Sequence, residues 1–157
     1  MNARLPTSLE AAELDARAAP LSLGPLTGIA GFHLARATLT TQGAFERHLG
    51  KPFELNKVEF SLLMLVMANP AVTPKRLARA LAVAAPKLTL LLDALQARSL
   101  IQRQRNAADG RSQHVLLTAA RRNLARDAAA SAEPMERELL VALSRAEHAM
   151  LIELLGK

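Results

Sequence analysis

The residues with the sharpest chemical use are Asp109 and Arg111, in the polar run Asn106-Ala-Ala-Asp-Gly-Arg-Ser112. A guanidinium at the tip of a hairpin can enter the minor groove of duplex DNA, where the potential is most negative. Asp109, two residues earlier, can pair with it and aim it. The plain alternative is a solvated loop ion pair of little energetic weight. Upstream, Lys87 and Thr89 stand at the start of a predicted helix, behind Ala84, Ala85 and Pro86. N-terminal residues of a recognition helix point into the major groove. There Thr89 can hydrogen-bond a base or meet a thymine methyl, and Lys87 can reach guanine or phosphate. The rest of that face is poor in base-reading side chains, and Leu90 reads equally as a thymine-methyl contact or as core. Direct readout is therefore sparse, and DNA shape and phosphate contacts take a larger share. Thr73, Lys75, Arg76, Arg103 and Arg105 are the candidate phosphate contacts.

The charge distribution points the same way. The chain has 157 residues with a formal net charge of +6, no Cys, no Trp, no Tyr and four Phe. Residues 73–112 hold Lys75, Arg76, Arg79, Lys87, Arg98, Arg103, Arg105 and Arg111 against only Asp93 and Asp109. The whole excess thus falls in about a quarter of the length, which favours a polyanionic partner over an ordinary solvated face. The scarcity of aromatic rings argues against single-strand stacking, so duplex DNA is the expected partner.

Composition excludes several other functions. Without Cys there is no disulfide framework, thiolate nucleophile, Cys-based zinc site or thiol redox sensor. His48, His114 and His148 are scattered with no metal-ligand spacing, so no metal and no cofactor is expected. The longest apolar run, Leu62 to Ala68, is far below the roughly 18–20 residues that span a bilayer. Residues 1–9 have no apolar signal core, and a cytoplasmic protein is expected. No nucleotide-binding, esterase or metalloprotease motif appears, so an enzyme is not expected.

These residues need elements to position them. Residues 1–24 read as an N-terminal arm, ended by Pro20, Gly24 and Pro25. A long helix is expected from about Leu26 to Leu49, closed by Gly50 and Pro52. Asn56 followed by Glu59 is a capping box that opens a helix to Ala68, apolar all round from Leu62 to Met67 and hence buried. Thr73-Pro74 caps a short helix carrying Leu77, Ala78 and Leu81. A second helix from about Ala85 to Arg98 has Leu88, Leu91, Leu92 and Leu95 at helical spacing. Two short helices across a tight turn make a helix-turn-helix. Residues 100–105 and 113–117 then form a β-hairpin around the basic tip. Thr118 caps a further long helix, kinked or broken near Pro134, and Ser144 with Glu147 is a second capping box opening the last helix. The fold class is mainly α with a small β-hairpin wing. A winged helix-turn-helix is flanked by long terminal helices with more apolar surface than a small DNA reader needs. A second subunit is the economical cover for them.

On these features residues 26–157 resemble the MarR (multiple antibiotic resistance regulator) family. The resemblance rests on Phe32-His-Leu-Ala-Arg36-Ala, on Glu59-Phe-Ser-Leu-Leu-Met-Leu-Val, and on Leu77-Ala78 with residues 95–101. The most specific feature is Asp109-Gly-Arg111 leading to Leu117-Thr118. The chain departs from the family in having Ala119-Ala120-Arg121 after that Leu-Thr, and Ser99 where the family usually has Gly after the recognition helix. The resemblance implies one domain over residues 25–157, with dimerisation helices at 25–52 and 119–157 and a DNA-binding lobe at 53–118. It further implies a homodimer on a pseudo-palindromic operator, and Asp109 aiming Arg111 at the wing tip. Release by a small, often aromatic or phenolic ligand is implied too.

In the family the ligand pocket lies between the first long helix, the buried second helix and the DNA-binding lobe. His33, Arg36 and Thr40 share one face of that first helix by their spacing. Arg36 facing such a pocket would hold a carboxylate bidentately, beside Phe60. The plain alternative is an ordinary core with a surface Arg and His. The expected function is a dimeric, ligand-responsive transcriptional regulator acting as a repressor. The alternative is a winged-helix module that docks an acidic protein and reads no DNA sequence.

Overall fold

The computed structural model describes residues 21–105 and 113–157. The chain divides into two compact units, Met1–Ala37 and Thr38–Lys157, with the boundary inside the first long helix. In chain order come a 3-10 turn (Gly24–Gly28), α1 (Ala30–Phe45), α2 (Lys57–Ala68), α3 (Pro74–Ala80) and α4 (Ala85–Ala97). The hairpin β1 (Ile101–Arg105) and β2 (Gln113–Leu117) follows, then α5 (Arg122–Leu139) and α6 (Arg145–Leu155). The expected fold class holds: helices carry the chain, and the one sheet among the described residues is a two-stranded antiparallel hairpin.

The first helix differs from expectation at both ends. Leu26 belongs to the 3-10 turn, which Ile29 ends in an extended conformation. Past Phe45 the chain does not stop at Gly50. It widens into a π-helical turn, Glu46–Gly50, and continues as Lys51–Phe53 with Pro52 in the first turn. The turn finally ends at Glu54 with φ 53°.

α2 is the hub of the second unit. Its N-terminus carries the complete capping box: the Asn56 side chain accepts from the Glu59 N–H at 2.9 Å, and the Glu59 carboxylate accepts from the Asn56 N–H at 2.9 Å. Leu62, Leu63 and Val66 are buried, while Met64 and Leu65 are half-buried and Met67 is 37% exposed. The burial is therefore one wide face and not the full circumference. Against that face pack Leu77 of α3, then Leu88, Leu92 and Leu95 of α4, and Ile101, Val115 and Leu117 of the hairpin. Burying one such Leu contributes about 1.5–3 kcal/mol, so this cluster holds α2, α3, α4 and the hairpin together. A smaller cluster joins Phe45, Leu49 and Ala128, with Phe53, Phe60 and Met135 half-buried against it.

Two further expectations are corrected. Thr118 does not cap α5 with its side chain: a 3-10 turn, Ala119–Arg121, intervenes. Its Oγ1 donates to the Ser99 carbonyl at 2.8 Å, tying the base of the hairpin to the turn that leaves α4. Of the two alternatives at Pro134, a kink or a break, the break is removed: Pro134 lies inside one continuous helix. One missing N–H is outweighed by the packing of Ala125 and Ala128 and by Glu138, which bonds His48 and Arg47 of the π turn. At the other capping box the Ser144 hydroxyl accepts from the Glu147 N–H at 3.3 Å and opens α6 as expected. No single helix among the described residues is long and apolar enough to cross a membrane.

Candidate nucleic-acid interface

The helix-turn-helix is assembled by short-range chemistry. The Thr73 hydroxyl accepts from the Arg76 N–H at 3.4 Å and Pro74 occupies the first turn, so α3 starts sharply. Thr73 is thus a half-buried cap, with Lys75 and Arg76 exposed beside it. Leu81 ends α3, and Ala82 takes φ 51° to reverse the chain. The axes of α3 and α4 differ by 111°, within the roughly 90–120° of a helix-turn-helix.

α4 begins without a side-chain cap, since Ala84 has none to offer. Its first-turn N–H groups and positive dipole end are left for an external acceptor, a ready place for a phosphate. Pro86, Lys87, Thr89 and Leu90 are all exposed on this end. The Thr89 hydroxyl donates to the Ala85 carbonyl at 3.1 Å, leaving its oxygen lone pairs free to accept. Leu90 is 71% exposed, so of its two readings the core one is removed.

The hairpin is in register from Ile101 opposite Leu117 to Arg105 opposite Gln113. Its outer strand is pinned further by the Val115 N–H, which donates to the Val72 carbonyl at 2.8 Å in a single-residue bridge. Arg105 is exposed at the strand's tip end. Asp109 and Arg111 lie outside the described residues.

The structure sorts the basic segment into two kinds of cation. Arg103 donates to Gln96 at 2.8 Å and ion-pairs with Asp93, bracing β1 against α4. Arg98 donates to Glu59 at 3.2 Å and to the Glu54 carbonyl at 2.6 Å, locking the end of α4 onto the start of α2. Lys75, Arg76, Arg79, Lys87 and Arg105 are exposed and in no ion pair among the described residues. The sequence showed Glu59 as a capping residue but gave no sign of its second partner, 39 positions away. Asp93 as the partner of Arg103 was equally hidden, because the pairing depends on how the hairpin folds back.

The other constellation is less assembled. His33 bonds the Thr27 carbonyl at 3.0 Å, and the Arg36 guanidinium stands 5.7 Å from the Phe32 ring centroid, a cation–π contact. Both are exposed, as is Thr40. Phe60 is half-buried and meets Phe45 edge to face at 6.0 Å, a core contact. A cleft of about 420 Å³ that the sequence did not reveal is lined by Gln42, Glu46, Asn56, Lys57, Val83 and Lys87. It opens beside the N-terminal end of α4 and shares Lys87 with it.

The MarR family model matches residues 55–113, which span the capping box of α2, the helix-turn-helix, β1 and the first residue of β2. The transcriptional repressor CouR, solved on a 23-mer DNA duplex, is 31% identical, with a TM-score of 0.79 over 88% of this chain and 97% of that one. The chain belongs to the MarR family. As a MarR-family protein it is a winged-helix transcriptional regulator. CouR bound to p-coumaroyl-CoA is 30% identical, covering 87% of this chain and 96% of that one with a TM-score of 0.74. A probable transcriptional regulator from Pseudomonas aeruginosa is 27% identical, with a TM-score of 0.73 over 83% and 97% of the two chains. No curated protein matches the chain in sequence. Ser99, where MarR-family chains usually place Gly, takes φ 57°, the conformation that Gly adopts at least cost.

Proposed function

We propose that this MarR-family chain is a homodimeric repressor that grips a pseudo-palindromic operator and is released by a small acidic ligand. One observation carries the reading. The exposed cations Lys75, Arg76, Lys87 and Arg105, in no ion pair among the described residues, lie on the helix-turn-helix with its uncapped recognition helix and on the hairpin, while Arg98 and Arg103 hold that surface in shape. Lys87 and Thr89 read the major groove, with Pro86 starting their helix. Arg111, aimed by Asp109, enters the minor groove. Thr73, Lys75, Arg76 and Arg105 take phosphates, and Arg103 reaches one at the edge of its brace.

The dimer is supported by α6, which buries no residue yet carries Met150, Ile152, Leu154 and Leu155 at 57–61% exposure. Such a face is costly in water, and a second copy is the natural cover. Residues 1–24 form an arm, residues 25–52 and 119–157 the dimerising helices, and residues 53–118 the DNA-binding lobe. Arg36 is proposed to hold the ligand carboxylate, and His33, Thr40 and Phe60 are the further residues proposed for ligand binding. Binding of p-coumaroyl-CoA by the 30%-identical CouR supports an aromatic acid or its derivative as the ligand class. The protein acts in the cytoplasm and catalyses no reaction.

Fluorescence polarisation with the intergenic duplex upstream of its own gene tests this. Preference for that duplex over a shuffled one of equal composition is the expected result. Equal affinity for both would sink operator recognition and favour a module that docks an acidic protein.

A further inference from the structure

A second cleft, of about 280 Å³, lies behind the hairpin and takes no part in the function proposed above. Its apolar lining comes from Val66 and Met67 of α2, Pro70 just beyond that helix, and Leu116 and Leu117 of β2. One rim carries Arg122 and Arg126, and Gln102 of β1 adds a polar group. Strand alternation defines which side this is. Gln102 and Leu116 are register partners, and Arg103, next along β1, leans the other way onto α4. The cleft therefore opens on the side of the hairpin away from the recognition helix.

The two arginines are one helical turn apart on α5, so their guanidinia project from one face. Both are exposed, and neither makes an ion pair among the described residues. They also sit in the first two turns of α5, where the helix dipole adds positive potential. Among the described residues no acidic side chain lines the cleft. Two unpaired cations beside an apolar floor, at the small end of the roughly 300–1,000 Å³ typical of ligand sites, select one kind of molecule.

We propose that this cleft binds a compact amphipathic monocarboxylate: the carboxylate on Arg122 and Arg126, and a ring-sized apolar body against Met67, Pro70 and Leu116. It is a site separate from Arg36 and does not depend on DNA binding. Its ligand would touch both strands of the hairpin that carries the wing tip.

Titration of the full-length protein with cyclohexanecarboxylate, followed by calorimetry or by ligand-observed NMR, tests the proposal. Binding is expected in the wild type; in the Arg36→Gln background, which removes the carboxylate partner of the ligand site proposed above, binding should persist and should weaken about tenfold or more once Arg122→Gln/Arg126→Gln is added. Both arginines are exposed, so the double variant should keep the wild-type circular dichroism spectrum and melting midpoint. Acetate and inorganic phosphate, which have no apolar body, should bind at least tenfold more weakly. The proposal is overturned if the wild type shows no binding. It is equally overturned if only Arg36→Gln loses it, or if acetate or phosphate binds as well as the ring acid. Because no DNA is present, failure of the operator reading leaves this result untouched.

Discussion

Arg111 and Lys87 are asked to do different things from Arg98 and Arg103, although all four sit in one basic segment. Replacing Arg111 by Ala removes the cation proposed for the minor groove and is expected to weaken operator binding at least tenfold, about 1.4 kcal/mol, in a polarisation titration at physiological salt. Unchanged affinity would remove the wing from the interface. Lys87→Ala should also weaken binding while leaving urea stability within about 0.5 kcal/mol, as expected of an exposed side chain. Arg98→Met should do the reverse. It keeps the aliphatic stem but strips Glu59 and the Glu54 carbonyl of a charged donor, a loss of about 1–3 kcal/mol in urea unfolding. If Arg98→Met left stability intact, the α2–α4 lock would be decorative. Ser99 offers an opposite test, because its φ of 57° burdens a side chain. Ser99→Gly should stabilise by about 1 kcal/mol.

At the scale of elements, much was legible because the signals are local. The two capping boxes, Thr73-Pro74 and the Leu88-Leu92-Leu95 stripe each act within one or two helical turns, and each element they announced is present. What was hidden depends on tertiary partners. Nothing near Gly50 announces that the chain will widen into a π turn and continue. Pro134 looked like a breaker because the anchor beyond it, Glu138 on His48 and Arg47, spans some 90 positions of sequence. Thr118 looked like a cap because its true partner, the Ser99 carbonyl, is brought close only by the hairpin. The Glu138 anchor carries a pH signature. The His48 hydrogen bond first, then that of Arg47, holds its carboxyl below the ordinary 4.5. A lowered carboxylate stabilises the fold above its unfolded value, and that stability disappears as pH falls through the folded one. Glu138→Gln should therefore lower the melting midpoint at neutral pH, and the gap to the wild type should close as the pH falls from neutral through the lowered carboxyl value. A gap that stays constant across that range would contradict the assignment.

The whole molecule is a basic lobe joined to helices with unsatisfied apolar faces, and both properties bear on function only in a dimer on DNA. Binding should fall steeply with salt, because each neutralised phosphate releases counterions with a log–log slope near −0.9. A flat response would take the basic segment out of the interface. The central claim is that two copies place two recognition helices and two wings on one duplex. The measurement that meets it most directly is a hydroxyl-radical footprint on the upstream intergenic duplex. The expected result is two protected half-sites related by pseudo-two-fold symmetry, centred about one helical turn, roughly 10–10.5 base pairs, apart. A single protected half-site, or uniform protection along the duplex, would contradict it.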